Sequence, residues 1–272
     1  MAAPPMIGKT RSMTSTTLSP VGSLLREWRQ RRHLSQLDLS IEADVSSRHL
    51  SFVETGRARP SRAMVLHLAS ALDVPMREQN QLLIAAGFAP AFAERTLDDP
   101  DLAPIRAGLD RVLRAYEPFP CLVVDRGWNM VMANAGVTPI LEGVSADLLD
   151  EPNALRISLH PDGLAPRILN LAEWRFHVLG RLAREAASSG SEVLRSLHQE
   201  LVAYPGGMEA GLDDGAVAVT MVLDSPAGPL SFLSTVTTFG TALDLTAAEL
   251  SIEAFLPADA RTAQVVRTIA GE

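Results

Sequence analysis

The chain has 272 residues, 47% of them apolar, with 24 basic and 32 acidic side chains and a formal net charge of −8. That length and apolar content predict two domains with real cores, and no apolar run reaches the ~20 residues that a bilayer-crossing helix needs. The single cysteine, Cys121, excludes an intrachain disulfide and a cysteine-built metal cluster. In the apolar run PCLVV it reads as a buried, inert thiol, since a redox sensor needs an exposed, activated thiolate.

Residues 1–20 are small, polar and Pro-containing, with no apolar signal core, so a disordered tail and a cytoplasmic location are expected. A first helix then carries Val21, Leu24, Leu25 and Trp28 as an apolar stripe, with Arg26, Arg29, Arg31 and Arg32 on its other side. Ser35 is placed to cap a short helix starting at Gln36, with Leu39, Ala43 and Val45 facing inward. Ser46 is placed to cap a second one, whose buried face holds Leu50 and Val53. Its opposite face offers Ser47, Arg48, Ser51 and Phe52, with His49 at the edge.

Helix, tight turn and second helix form a unit whose second helix fits the major groove of DNA, its N-terminal residues meeting base edges. Arg48 has the fork for a bidentate contact to guanine O6 and N7. Phe52 either touches a thymine methyl or belongs to the core. After Gly56, the residues Arg57, Arg59 and Ser61 suit phosphate contacts. Ser61 also starts a fourth helix through Ala71, with Val65, Leu68 and Leu72 at helical spacing, and a fifth helix runs from Met76 to Ala86 before Gly87. Five short helices within about 65 residues make a compact domain. Charge is divided accordingly: residues 1–95 hold 12 basic and 8 acidic side chains, residues 96–272 hold 12 and 24. The acidic remainder repels DNA non-specifically, while the positive charge sits with the helix-turn-helix.

On these residues the segment LREWRQRRHLSQLDLSIEADVSSRHLSFVETGRARPS resembles the Cro/C1-type helix-turn-helix (xenobiotic-response-element, XRE, family) of bacterial and phage repressors. The resemblance implies Gln36 near a phosphate or base, Ser47, Arg48 and Phe52 at base-reading positions, and Glu54 as a structural residue. Ser40 departs from the usual Ala.

Residues 89–104, with Pro90, Pro100 and Pro104, read as a linker. A helix follows from Ile105 to Ala115. Pro120 to Ala133 is a hairpin signal around Asp125-Arg126-Gly127, and Asn134 after it suits a turn. Residues 166–187 predict a long amphipathic helix with Ile168, Leu171, Trp174, Val178 and Leu182 on one face. Val193, Leu194, Leu197 and Leu201 mark another. Ala216–Leu223 and Pro229–Phe239 are β-rich, flanking a turn, and GGMEAGLDDG reads as a surface loop. This order predicts an α+β domain, an antiparallel sheet with helices on one side.

PFPCLVVDRGWNMVMAN is similar to the opening of PAS-like sensor domains. With NALRISLHPDGL, the Trp174 helix and SFLSTVTTFGTALDLTAAELSIEAFLPAD, it resembles the ligand-binding domain of MmyB-like transcription regulators, which place a Cro/C1-type helix-turn-helix in front of it. The expected fold is thus an all-α five-helix N-terminal domain (21–88) plus an α+β C-terminal domain with a PAS-like antiparallel sheet (105–265). The resemblance implies a pocket for a small apolar ligand, with fatty acids as the associated class. Such a pocket lies between sheet and helices, lined by Trp128, Met130, Met132, Trp174, Val178, Phe232 and Leu233 as candidates, although large apolar residues at these spacings also simply fill cores. Arg175 and His177 are placed either to anchor a carboxylate or to be solvated surface.

No enzyme, cofactor or metal is expected. The six histidines form no HExxH-type pair, there is no G-x-S-x-G elbow and no P-loop, and His160-Pro161-Asp162-Gly163 reads as a turn. Three readings follow: a homodimeric, ligand-responsive regulator of double-stranded operator DNA; a constitutive regulator whose second domain dimerises or recruits a protein; and an enzyme fused to a DNA-binding module.

Overall fold

The computed structural model describes residues 20–209, 219–239 and 244–271. The expected N-terminal tail and parts of the 206–215 loop and of the strand expected from Ala216 lie outside the described residues. The chain divides into two compact units, residues 1–91 and 92–272.

The first unit is the expected five-helix domain: α1 (Pro20–Arg31), α2 (Gln36–Glu42), α3 (Ser47–Glu54), α4 (Arg62–Ala71) and α5 (Met76–Ala85). Every helix ends the same way. A residue in the left-handed region follows it, at His33, Asp44, Gly56, Asp73 and Gly87, and the next amide bonds back to the last turn, as in Val45 N to Ser40 O (2.9 Å) and Val74 N to Ala69 O (2.9 Å). This closure satisfies orphan carbonyls and folds the following residue (Leu34, Val45, Val74, Phe88) over the helix it has just left. The N-termini differ. Ser35 and Asp38 form a reciprocal capping box, and the Ser61 hydroxyl accepts from Met64 N. Ser46 holds the cap position of α3, but its side chain makes no capping bond.

The core of this unit gathers Val21, Leu25, Trp28, Leu39, Leu50, Val53 and Leu68 among others. Gly22 lets α1 touch the end of α3: a Cβ there would sit 2.5 Å from Val53 O and 2.6 Å from Glu54 O. Arg29 departs from the polar face expected for it. It is only 8% exposed, and its guanidinium grips Glu54 through Nε (2.7 Å) and Nη2 (3.0 Å) while donating to Leu34 O. Gln36 Nε2 joins the same carboxylate at 2.8 Å. One buried acid therefore ties α1, α2 and α3 together. Arg32 is likewise structural, donating to Leu72 O and Asp73 O at the end of α4. The Ser40 hydroxyl, buried where alanine is usual, is satisfied by Leu37 O.

In the second unit much of the expected linker is folded. Ala93 O accepts from Leu245 N, Arg95 pairs with Asp244 at 2.6 Å, and a 3-10 turn at Pro100–Leu102 runs into α6 (Ala103–Tyr116). There follow β1 (Cys121–Val124), β2 (Met130–Ala133), α7 (Ala146–Asp150), α8 (Ala154–Leu159), α9 (Leu171–Ser189), α10 (Glu192–Val202), β3 (Thr220–Leu223), β4 (Leu230–Thr238), α11 (Leu245–Glu249), β5 (Ser251–Pro257) and α12 (Ala260–Ala270). The long helix starts at Leu171 rather than 166, and Ile168 instead forms a β-bridge with Leu223. Asn134 secures the first hairpin, accepting from Cys121 N and donating to Leu113 O and Phe119 O.

The sheet is antiparallel with order β2-β1-β5-β4-β3. The two expected hairpins are thus joined by a central fifth strand near the end of the chain. Its alternation defines two faces. Leu122, Val124, Met221 and Phe232 face the main core with α8, α9 and α10. Cys121, Val123, Ile252 and Ala254 face the other way, against Leu109 and Leu113 of α6. Helices therefore cover both sides of the sheet, not one, because β1 is apolar on both faces and Ile252 and Ala254 of β5 extend its outer apolar face, which requires a second layer.

Candidate functional site

The outer face of the first unit presents α3. Ser47 and Arg48 are exposed, and His49, Ser51 and Phe52 half-buried. Arg57, Arg59 and Ser61 are exposed on the segment that follows. Among the described residues none of Arg48, Arg57 and Arg59 pairs with a carboxylate, whereas Arg29, Arg95, Arg156 and Arg181 do. Phe52 organises this surface. Arg48 and Arg57 lie over its ring at 5.4 and 6.0 Å, and its carbonyl accepts from Arg57 N and Ala58 N. Gln36, expected at a phosphate or base, is half-buried and gives an amide proton to Glu54. Glu54 is structural, as the resemblance implied, and its partnership raises the pKa of Arg29, the hydrogen bond being the main cause.

The second unit holds two adjoining spaces. A cavity of about 50 Å³ lies between the sheet and the helices, walled by apolar groups from Leu122, Met130, Leu155, Trp174, Val178, Met221 and Phe255, and by Ser158, Arg181 and Glu253. A groove of about 720 Å³ runs beside it between Pro118, Pro139, Arg167, Pro226, Phe232 and the α12 residues Val266 and Ile269. Pro120 and Ile140 line both. An apolar cavity that takes benzene measures ~150 Å³, so the inner chamber alone is too small for a ligand chain. The groove falls in the ordinary range for ligand sites.

Of the seven expected lining residues, the structure brings Met130, Trp174 and Val178 to the inner cavity and Phe232 to the groove. Trp128 stands behind the wall: its indole donates to Glu185 (3.0 Å) and supports the Arg181 guanidinium 4.4 Å above its ring. Burial raises the pKa of Glu185. Met132 packs in the α6 layer, and Leu233, on the same outer face in the β4 register, is half-buried away from both spaces. The two misplacements share one cause, the period-two alternation of strands.

The family model for the MmyB-like transcription regulator ligand binding domain matches residues 105–269, and a helix-turn-helix domain model matches residues 20–82. The chain belongs to the MmyB-like transcription regulator family. Relatives of this MmyB-like chain include the uncharacterized HTH-type transcriptional regulator RghRB of Bacillus subtilis, 38% identical over 78 residues, 28% of this chain and 54% of that protein. An uncharacterized HTH-type transcriptional regulator of Mycobacterium tuberculosis is 30% identical over 129 residues, 47% of this chain and 43% of that protein. The matched segments thus span about half the length of these relatives. The crystal structure of the restriction-modification controller protein C.AhdI from Aeromonas hydrophila is similar at 34% identity over 22% of this chain and 92% of that one, with a TM-score of 0.22.

Two further side chains of the MmyB-like domain lie away from both spaces. Arg175 is buried, not solvated, and its Nε donates to Gly207 O while Nη2 reaches Leu201 O and Val202 O at the end of α10. Burial lowers its pKa. His177 stacks on Trp174 at 5.9 Å, and burial lowers its pKa too. Sequence reasoning missed Arg181 and Glu253. The signal for Glu253 was available as a lone acid inside the apolar strand SIEAFLP, in register opposite Leu122. Among the described residues no helix is long and apolar enough to cross a membrane.

Proposed function

We propose that the protein is a homodimeric, sequence-specific regulator of transcription whose α3 enters the major groove of operator DNA and whose C-terminal domain senses a small apolar ligand of the fatty-acid-like kind. The observation that carries this reading is the set of exposed arginines, Arg48, Arg57 and Arg59, around Phe52, none of which pairs with a carboxylate among the described residues. Arg48 is the base-reading side chain, with Ser47 and His49 beside it, and Phe52 forms the apolar part of the same surface. Arg57, Arg59 and Ser61 hold phosphates. Gln36 acts chiefly through Glu54. Two copies are needed because one recognition helix reads only a few base pairs.

Ligand and DNA are coupled, so the operator alters ligand affinity by the same factor as the ligand alters operator affinity. The test is native mass spectrometry of the purified full chain, organic extraction of anything bound, and operator titration with and without the extracted compound. A co-purifying apolar molecule that shifts operator affinity supports the reading. An empty protein whose DNA binding ignores every apolar compound supports a constitutive regulator that uses its second domain for assembly.

A further inference from the structure

Among the described residues, two arginines line the spaces of the second unit, and they differ in company. Arg181, on the inner wall, has Glu253 at 3.2 Å and Glu185 at 3.9 Å, so two acids share its charge. Arg167, on the wall of the groove, pairs with no carboxylate among the described residues. Its guanidinium is held by carbonyls alone: Nη1 donates to Ile140 O (2.9 Å) and Glu142 O (2.7 Å), and Nε reaches Asp224 O at 3.4 Å. Its backbone is fixed to the same turn, since Arg167 O accepts from Asp224 N at 2.7 Å. Nη2 makes no hydrogen bond among the described residues, although a guanidinium has five N–H donors to place. Arg167 is thus a half-buried cation, oriented in advance and not neutralised, which is the condition for a strong charge-assisted bond to an anion. Apolar groups from Pro139, Pro226, Phe232, Val266 and Ile269 make up much of the remaining wall.

We propose that Arg167 is the specificity-determining anchor for the head of a long-chain carboxylate, which lies in the groove and passes Pro120 and Ile140 so that the end of its chain enters the inner cavity. This deepens the reading that the C-terminal domain binds an apolar ligand, and rests on it. Charge complementarity chooses the head, because Arg167 carries a positive charge that no acid of the groove wall answers. Size sets the direction of the chain: the cavity of about 50 Å³ takes the end of a chain, and the groove of about 720 Å³ holds the rest of it with the head. Two exposed acids, Glu117 and Glu142, line the same groove. They oppose a second negative charge beside Arg167, so a carboxylate is favoured over a doubly charged phosphate.

The test is calorimetric titration of the full chain with dodecanoic acid, methyl dodecanoate and dodecyl phosphate, three probes with the same chain and different heads. The acid should bind tightest, with about 10-fold or greater weakening for the ester, the span that a hydrogen bond between charged groups covers. Arg167→Gln should bring the acid down to the ester and leave the ester unchanged. Acid and ester of equal affinity, or the phosphate above the acid, overturns the inference and leaves the apolar-ligand reading standing. So does an acid preference that survives Arg167→Gln and disappears in Arg181→Gln, since the head then sits in the inner cavity. No binding of any probe by the wild type overturns both. Where Arg167→Gln folds poorly, a crystal structure of the wild-type chain with dodecanoic acid decides: a carboxylate against Arg167 supports the inference, and one in the inner cavity overturns it.

Discussion

Replacing Glu54 by alanine removes the group on which three helices converge. Glu54 and Arg29 have side chains 2% and 10% exposed, joined at 2.7 Å and 3.0 Å, with Gln36 at 2.8 Å on the same carboxylate. Breaking a buried pair from one side costs about 3–5 kcal/mol, because the remaining charge stays buried without its partner. Arg29 keeps Leu34 O, so about 3 kcal/mol is expected. The double variant Arg29→Met/Glu54→Ala removes both charges and should cost about 1 kcal/mol, about 2 kcal/mol less than the Glu54→Ala single variant. Hydrogen-exchange mass spectrometry of the full chain in increasing urea reads this on peptides from α1 to α3, separately from the second unit. A single variant losing less than about 1 kcal/mol, or a double variant as unstable as the single, would refute the view that Glu54 is held for Arg29.

Gly22→Ala should destabilise the first unit by about 1–3 kcal/mol, since its new methyl meets the Val53 and Glu54 carbonyls; a change within about 0.5 kcal/mol in the same exchange experiment would show that α1 moves aside freely. Arg57→Ala and Arg59→Ala should each weaken binding to all DNA sequences alike and flatten the salt dependence by about one unit of slope; a loss confined to one sequence contradicts a phosphate role. Burial pushes the Cys121 thiol up to about 11, so the native protein should resist thiol reagents at pH 8. Labelling at the rate of the unfolded chain would place Cys121 at an accessible surface.

The helical half was legible because its information is local. Ser35, Ser61 and Gly87 mark helix ends within a few residues of the apolar stripes they bound. The sheet was legible as hairpins and opaque as a sheet. β1 and β2 meet through a short turn, whereas β5 pairs with a strand about 130 residues earlier, and no local pattern announces such a pairing. Separations of 25 and 72 residues likewise hid Arg29 with Glu54 and Arg181 with Glu253, where each arginine alone looks like helix surface. Met132 and Leu233 carry the right chemistry for a pocket, but they occupy the wrong parity of their strands.

The central claim is that α3 reads a base sequence through Arg48. The most direct measurement is selection of a binding site from random duplex DNA with the full chain, followed by titration of wild type and Arg48→Ala on that site and on its single-base variants. The expected result is an enriched two-fold-symmetric site, with Arg48→Ala losing about 1–3 kcal/mol at one position of each half-site and tolerating all bases there. No enriched sequence, or equal losses for Arg48→Ala on every sequence, would contradict it.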